Sequence, residues 1–511
     1  KLFMELTSKN YIGNTISGKG GTFFKTINPI KNIENKTKFI EATEDEVKLA
    51  ISLASESFNN YKEIPGIERS LFLKTIGDEI MKLGDDLIKI YCQESGLPEP
   101  RAIGERSRTI NQLNSFANLI ENEKWRENFI DIADPNRKPL PKPDLRKTSV
   151  ALGPVVVFGA SNFPLAFSTA GGDTASALAS GCPVIVKSHP MHCGTSELIS
   201  KAIINAIIKT KMPNGIFSNL NSKGFEVGQK LVMDSKIKAV GFTVSFKGGK
   251  FLFDMVSKRK EPIPFFAEMG SVNPIIILPS SIKEKSEDLV KNLIASISLG
   301  AGQFCTNPGI IFTIDDENTN NFITKIADKI KDIQNQCMLH PNMKSNYENR
   351  SESIIKTKNV GSLKNEKLIP ENNFVNTKIA IVSLNDFLEN SELREEVFGP
   401  FSVIVKCKNL SELLSGLNKL SGQLTATIHS EKEDHNKINS IINILKNKVG
   451  RILFNDFPTG VEVSRSMTHG GPFPASTDSR YSSVGLESIK RWIRPISYQN
   501  FPKEFLPSFL K

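Results

Sequence analysis

The chain has 511 residues, 39% hydrophobic and 23% charged, with a formal net charge of +10. That length excludes a single hydrophobic core and calls for two or three domains, while the composition is that of a globular protein. Lysines are spread among Asn and Ile with no basic stripe interleaved with aromatics, which argues against nucleic-acid binding, and no stretch approaches the roughly 20 apolar residues that span a bilayer.

Lys1–Thr7 lacks a long apolar core and a small-residue cleavage site, so no signal peptide is expected; a first residue other than Met leaves room for a short leader. Residues 43–120 read as helical. Thr43 followed by Glu46 is a capping-box pattern, and Val47, Ile51, Ala54 and Phe58 repeat at helical spacing. Further amphipathic segments run over Leu71–Leu83 and Ile110–Ile120. Asp131–Lys147, with four prolines, is predicted to be neither helix nor central strand but an extended arm or crossover.

From Val150 short apolar runs alternate with helical segments. Strands are predicted at Pro154–Phe158, Pro183–Val186, Ile216–Leu220 and Ile237–Phe242, with helices at Ser168–Ala179, Thr195–Ile208 and Phe225–Met233. This alternation implies a parallel, doubly wound sheet that binds ligands at the carboxyl ends of its strands. A second series begins after Pro262–Pro264. Its strands are Pro274–Leu278, Ile310–Ile314, Lys378–Ser383, Phe401–Lys406, Leu424–His429 and Arg451–Phe454. Its helices are Ser286–Leu299, Asn320–Ile333, Leu410–Leu420 and Asp434–Leu445. Residues 335–375, rich in Asn, Lys and Ser, carry the weakest pattern.

Six cysteines, at 92, 182, 193, 305, 337 and 407, show neither CxxC nor metal-finger spacing, which speaks against a disulfide framework and structural zinc and for a reducing, cytoplasmic setting. Cys305 lies in Gly302-Gln303-Phe304-Cys305-Thr306-Asn307-Pro308-Gly309, between two turns that suit a side chain held at a backbone corner facing a cavity. Such a thiol beside a base is a candidate for covalent catalysis, although most cysteines are buried and inert.

Four other segments mix buried-type and polar residues. Asn162, in Ser161-Asn162-Phe163-Pro164 after a strand, either points its amide into a site or caps a turn. Lys187, ending Val184-Ile185-Val186-Lys187, contacts a ligand oxygen or phosphate or else snorkels to solvent. Gly241-Phe242-Thr243-Val244-Ser245-Phe246-Lys247-Gly248-Gly249 reads as strand, turn and helix, a place where backbone N–H groups cradle a phosphate, though it is neither a GxGxxG nor a P-loop. Glu268, before Gly270-Ser271, is either a surface carboxylate or a general base whose pKa its surroundings raise.

These segments, in this order, resemble the aldehyde dehydrogenase superfamily from about residue 20 to 495. Joining them are Asn273-Pro274, Gly302-Gln303-Phe304-Cys305 and Glu395-Glu396-Val397-Phe398-Gly399-Pro400-Phe401. The resemblance implies an α/β fold: a doubly wound Rossmann-type cofactor domain (1–130 and 150–266), a second α/β catalytic domain (267–465), and an oligomerisation or bridging element (131–149 and 466–511). It implies Cys305 as nucleophile, Asn162 and the Cys305 N–H as oxyanion donors, and Glu268 as the base that hydrolyses the thioester. It places Lys187 and Glu396 at the two cofactor riboses, with Phe398 beside Glu396, and Ser245 and Gly249 along the pyrophosphate and adenosine. No metal is implied.

Relatives that prefer NAD carry a glutamate where this chain has Pro190. With that carboxylate gone and Ser188, His189 and Lys187 as phosphate donors, the expectation is NADP, with NAD as the alternative. Val244 stands where the family has a second glycine. Gly171-Gly172-Asp173-Thr174, the 470–477 segment and Arg491–Gln499 resemble the branch that oxidises 2,5-dioxopentanoate (α-ketoglutaric semialdehyde). Arg465 and Arg480 are candidates for its distal carboxylate, against a surface ion-pair reading. Rival expectations are another semialdehyde such as succinate semialdehyde, a CoA-acylating enzyme (disfavoured by Glu268), and a retired binding or structural relative. A homodimer or homotetramer is expected from the family.

Overall fold

The computed structural model describes residues 5–243, 245–368 and 370–511; Val244, noted above for replacing a glycine, lies outside them. Two seven-stranded sheets dominate. The first runs in the order Phe265–Glu268, Ala239–Thr243, Val155–Phe158, Val184–Lys187, Phe217–Leu220, Asn10–Ile12, Thr15–Ser17. The first five are parallel, and the last two, an unforeseen hairpin, close the edge antiparallel. Strand order reverses around Val155–Phe158, so a crevice opens where this strand and its neighbours end. Asn162 and Glu268 sit at that carboxyl end.

The second sheet runs Gly361–Lys364, Lys378–Ser383, Phe401–Cys407, Ile310–Ile314, Ile275–Ile277, Gln423–His429, Val449–Phe454, parallel except for the first strand. Its inner strands are buried along their length, as parallel strands covered on both faces must be. The architecture is thus the expected α/β pair of doubly wound sheets. The boundary expected at 266/267 falls inside the strand Phe265–Glu268, because Glu268 is that strand's last residue.

Predicted elements recur with shifted ends. The Thr43 capping box forms: Glu46 N donates to Thr43 Oγ1 at 3.2 Å and Thr43 N to Glu46 Oε2 at 2.8 Å, opening the helix Glu44–Tyr61. The helix expected at Ser286 starts at Pro279 and kinks at Lys285, since Pro is favoured in a first turn. Residues 335–375 contain the helix Pro341–Ile355, whose buried Tyr347 packs behind the site. The arm differs most. Leu145–Ala151, which takes in the last three residues of the Pro-rich stretch, is the central strand of a three-stranded antiparallel sheet between Ile493–Gln499 and Phe129–Asp131. All four prolines precede Leu145, so none costs that strand a hydrogen bond.

Two loops meet behind Cys305. The helix Pro279–Ser298 gives way to a turn in which Gly300, Ala301 and Gly302 all take positive φ, reversing the chain within three residues. A Cβ on Gly302 (φ +63°) would lie 2.4 Å from the Gly399 carbonyl, and one on Gly399 would lie 2.3 Å from the Tyr347 ring. The Cys305 turn, the Glu396–Gly399 loop and Tyr347 are therefore stacked with no room for a methyl group. Gly302→Ala is expected to cost roughly 2 kcal/mol or more in stability, from left-handed strain plus the clash, and to lower the thermal unfolding midpoint measurably.

Candidate active site

Glu268 is the point from which the site is built. It ends an edge strand, and the loop 469–483 folds onto that edge like an extra strand. Met269 N donates to Ala475 O at 3.0 Å, Thr477 N to Ala267 O at 3.1 Å, and Glu268 pairs with Ser476. The Thr477 hydroxyl also accepts from Ala267 N at 2.9 Å. This pairing carries His469 and Ser483 to the carboxylate. His469 Nε2 lies 3.0 Å from Glu268 Oε2, and the Ser483 hydroxyl donates to the same oxygen at 3.0 Å. The other oxygen, Oε1, is buried with no partner among the described residues.

Cys305 approaches from the second sheet. Asn273, held at φ +42°, donates its amide to the carbonyls of Cys305 and Asn307, each at 2.8 Å, and so pins the turn from beneath. Cys305 Sγ then sits 3.4 Å from His469 Nε2. One donor atom from each of Glu268, Cys305 and His469 lies within 4.8 Å of the others. Those donor types would suit zinc, but the Nε2–Oε2 hydrogen bond already joins two of them.

Electrostatics separate the thiol from the acid. Burial raises the Cys305 thiol well above its usual range, and the adjacent Glu268 carboxylate adds to the rise. For Glu268 burial is the largest influence and acts upward. The charge attraction and hydrogen bonding of His469, then Cys305 and Ser483, outweigh it and leave the carboxyl below the ordinary range. The expectation of a raised Glu268 pKa is thus corrected, because the site supplies donors as well as dryness. A lowered folded pKa means that this group's stabilising contribution is full above the usual carboxylate range and is lost as the pH falls below it.

Asn162 Nδ2 donates to Gln303 O at 3.0 Å, which uses one of its two N–H bonds and leaves the other for the cavity that it lines with Cys305. Asn162 and Cys305 line one end of a cavity of about 740 Å³, whose walls include Ser245, Lys247, Gly270, Glu396 and Phe398. The fit to a dinucleotide is good at this end. Ser245 opens the helix Phe246–Ser257 without a side-chain cap, so its first N–H groups remain available for an anion. Glu396 is held close over Gly270, where a Cβ would come 2.5 Å from Oε2, and burial pushes its pKa up to about 8. Gly249 is buried instead against Met269, 2.8 Å from a Cβ to Sδ, which lets the helix lie on the strand end.

The remaining predicted contacts are arranged differently. Lys187 is buried, its Nζ donates to Ser222 O at 2.7 Å, and burial lowers its pKa to about 8. Ser188 is turned inward onto Asn221 Oδ1 at 2.9 Å. His189 stacks on His192 at 5.5 Å, and burial holds it neutral, far below its usual pKa. The expectation that Ser188 and His189 offer donors to a phosphate is corrected in this arrangement, since one hydroxyl is spent and the imidazole carries no charge. Arg465 pairs with Glu487 at 2.8 Å and Arg480 with Asp478 at 2.5 Å; both side chains are more than 70% exposed, so neither serves a buried carboxylate.

Three residues were missed. His469 is fully buried between base and thiol. Arg108 and Arg451 lie close enough to Cys305 for charge there to raise their pKa against the burial that lowers it, and each keeps a buried Nε without a partner among the described residues. A signal for Arg108 did exist: Arg101, Glu105 and Arg108 share one face of the helix Glu99–Ile120.

The family model described as "Aldehyde dehydrogenase family" matches residues 16–490. The chain is 41% identical over 510 residues to alpha-ketoglutaric semialdehyde dehydrogenase 2 of Azospirillum brasilense, covering 99% of this chain and 97% of that protein. It is 42% identical over 479 residues to alpha-ketoglutaric semialdehyde dehydrogenase of Acinetobacter baylyi, covering 93% and 90%. Among solved structures it resembles betaine aldehyde dehydrogenase of Staphylococcus aureus in complex with NAD+, with a TM-score of 0.84 at 18% identity over 98% of this chain and 99% of the other. Ser483→Ala removes one donor from Glu268 Oε2. The acid limb of the pH–turnover profile is expected to move up by about half to one pH unit, as the carboxyl regains part of its ordinary pKa.

Proposed function

The chain belongs to the aldehyde dehydrogenase family, and from that premise we propose that it oxidises 2,5-dioxopentanoate to 2-oxoglutarate with NADP, NAD being the alternative acceptor. The observation that carries the substrate is the 41% identity, over 99% of the chain, to a relative bearing that activity in its name.

The residues support a covalent route. The Cys305 S–H bond breaks, its proton passing to Glu268 and on to solvent, as the sulfur bonds to the aldehyde carbon and the carbonyl π electrons move to oxygen. The second N–H of Asn162 and the Cys305 backbone N–H are the donors this reading assigns to that oxygen. A nicotinamide, when bound, supplies the hydride acceptor; the cavity walled by Ser245, Lys247, Glu396 and Phe398 is the place for it. Glu268, low in pKa and with Oε1 unpartnered, then takes a proton from water as its oxygen attacks the thioester and the C–S bond breaks.

For the far end of the substrate, Arg108 and Arg451 replace Arg465 and Arg480. Both are partly buried, each keeps a buried Nε without a partner among the described residues, and negative charge at Cys305 raises the pKa of each. Arg108 already holds the Val461 carbonyl at 2.6 Å and lies over the Phe167 ring, which fixes its direction. NADP is favoured by the lack of a carboxylate just after Lys187, where Pro190 stands. The same reading places the enzyme in the cytoplasm, in keeping with six free cysteines and no helix among the described residues long and apolar enough to cross a membrane. It also takes the chain to be a homodimer or homotetramer. The exposed edge strand Phe129–Asp131 presents Phe129 and Ile130, with Ile132 beside it.

Steady-state kinetics with a panel of semialdehydes, each with NAD and NADP, test the assignment. The highest kcat/KM is expected for the dioxo acid with NADP; equal values for simple aliphatic aldehydes would defeat the substrate, and a higher value with NAD the cofactor. Arg108→Met is expected to raise KM for the dioxo acid about 10- to 100-fold and to leave an uncharged aldehyde nearly unaffected, the loss of one charged hydrogen-bond partner.

A further inference from the structure

We propose that His469 is a catalytic residue of this enzyme: an imidazole, protonated on Nε2, that moves one hydrogen bond between the Glu268 carboxylate and the Cys305 sulfur as negative charge passes from one to the other. The inference rests on the thioester reading only for the identity of the nucleophile.

The tautomer follows from burial. Nδ1 is buried and has no partner among the described residues, whereas Nε2 faces Glu268 Oε2 at 3.0 Å and Cys305 Sγ at 3.4 Å. A proton on Nδ1 would be a buried donor with no acceptor, and a lone pair left there is the lesser loss. The proton therefore stays on Nε2, between the two atoms that exchange charge. The Phe167 ring, 6.4 Å from the imidazole, and the bond from His469 N to the Ser482 hydroxyl oxygen fix the ring's place.

A cysteine–histidine pair usually works by giving the thiol proton to the imidazole. That route is closed to a ring whose Nε2 already carries the proton. The acceptor for the S–H proton is Glu268, a carboxylate oxygen of which lies within 4.8 Å of the sulfur. On transfer the S–H bond breaks, an O–H bond forms on Glu268, and one negative charge moves from carboxylate to sulfur. The neutral acid no longer attracts Nε2–H, and the thiolate does. One donor thus serves both charge states, and neither anion is left buried without a partner. The groups facing this exchange are Glu268 and Glu396 on the negative side and Arg108 and Arg451 on the positive side.

The readout needs no aldehyde and no cofactor, so its failure is distinct from a wrong substrate. Carbamidomethylation of Cys305 by iodoacetamide, followed by mass spectrometry of the Cys305 peptide across pH, reports the thiolate fraction. His469→Phe keeps the ring and removes the donor; the midpoint is expected to rise by about one pH unit, a tenfold loss of thiolate. His469→Gln keeps an N–H and is expected to recover at least half of that shift. Glu268→Gln removes the neighbouring charge and is expected to lower the midpoint, which checks the proton acceptor; if His469→Phe does not fold, a His469→Gln midpoint more than about half a pH unit above the wild type overturns the proposal. A His469→Phe profile superposed on the wild type, a His469→Gln shift as large as that of His469→Phe, or a rise with Glu268→Gln would each overturn the proposal.

Discussion

A buried carboxylate cannot stand alone, and the site is organised around satisfying one. Glu268 ends an edge strand inside the protein, where an ionised oxygen without donors would cost several kcal/mol. The chain answers by laying residues 475–477 along that edge, which delivers the His469 ring and the Ser483 hydroxyl to the same oxygen. Backbone pairing positions this chemistry, and the chemistry in turn needs the pairing. Cys305 comes from the other sheet and is held by Asn273, whose amide donates to its carbonyl.

The two halves of the site therefore belong to different sheets, and close packing sets their distance. Gly302, Gly399 and Tyr347 form a stack with no space for a methyl group, so the Cys305 turn and the Glu396 loop cannot drift apart or together by much. Ser271 and Val272 tie the end of the first sheet to Gln423 of the second, donating to its side-chain Oε1 at 2.9 and 2.6 Å. A nucleophile and a base held this way need little reorganisation when a substrate arrives.

Much of this was legible beforehand, for physical reasons. Short apolar runs bounded by Gly and Pro mark buried parallel strands whatever the tertiary context, and all ten predicted strands of the two series recur within a few residues. The Thr43–Glu46 capping box is a local interaction, so its residues alone announce it. Cys305, Glu268 and Asn162 were found as a set because each sits in a distinctive segment. The failures have one origin. Whether Arg465, Arg480 or Ser188 faces a ligand depends on which partner the folded side chain meets, near or far along the chain. Those partners (Glu487, Asp478, Asn221) stand 22, 2 and 33 residues away in the chain.

His469 shows the division most clearly. Its local segment, a histidine before two glycines, carries no signal, and 164 residues separate it from Cys305. The sequence by itself determined the α/β alternation, the helix caps, and the presence of a thiol, a carboxylate and an amide in turns suited to a site, since these rest on periodicity and neighbouring residues. Only the tertiary structure decided how those groups are charged. A carboxyl's pKa is set by what surrounds it in space. Here that is a histidine and a serine brought in on the last strand-like segment to pair with the sheet, and they turn a dry glutamic acid into a carboxylate.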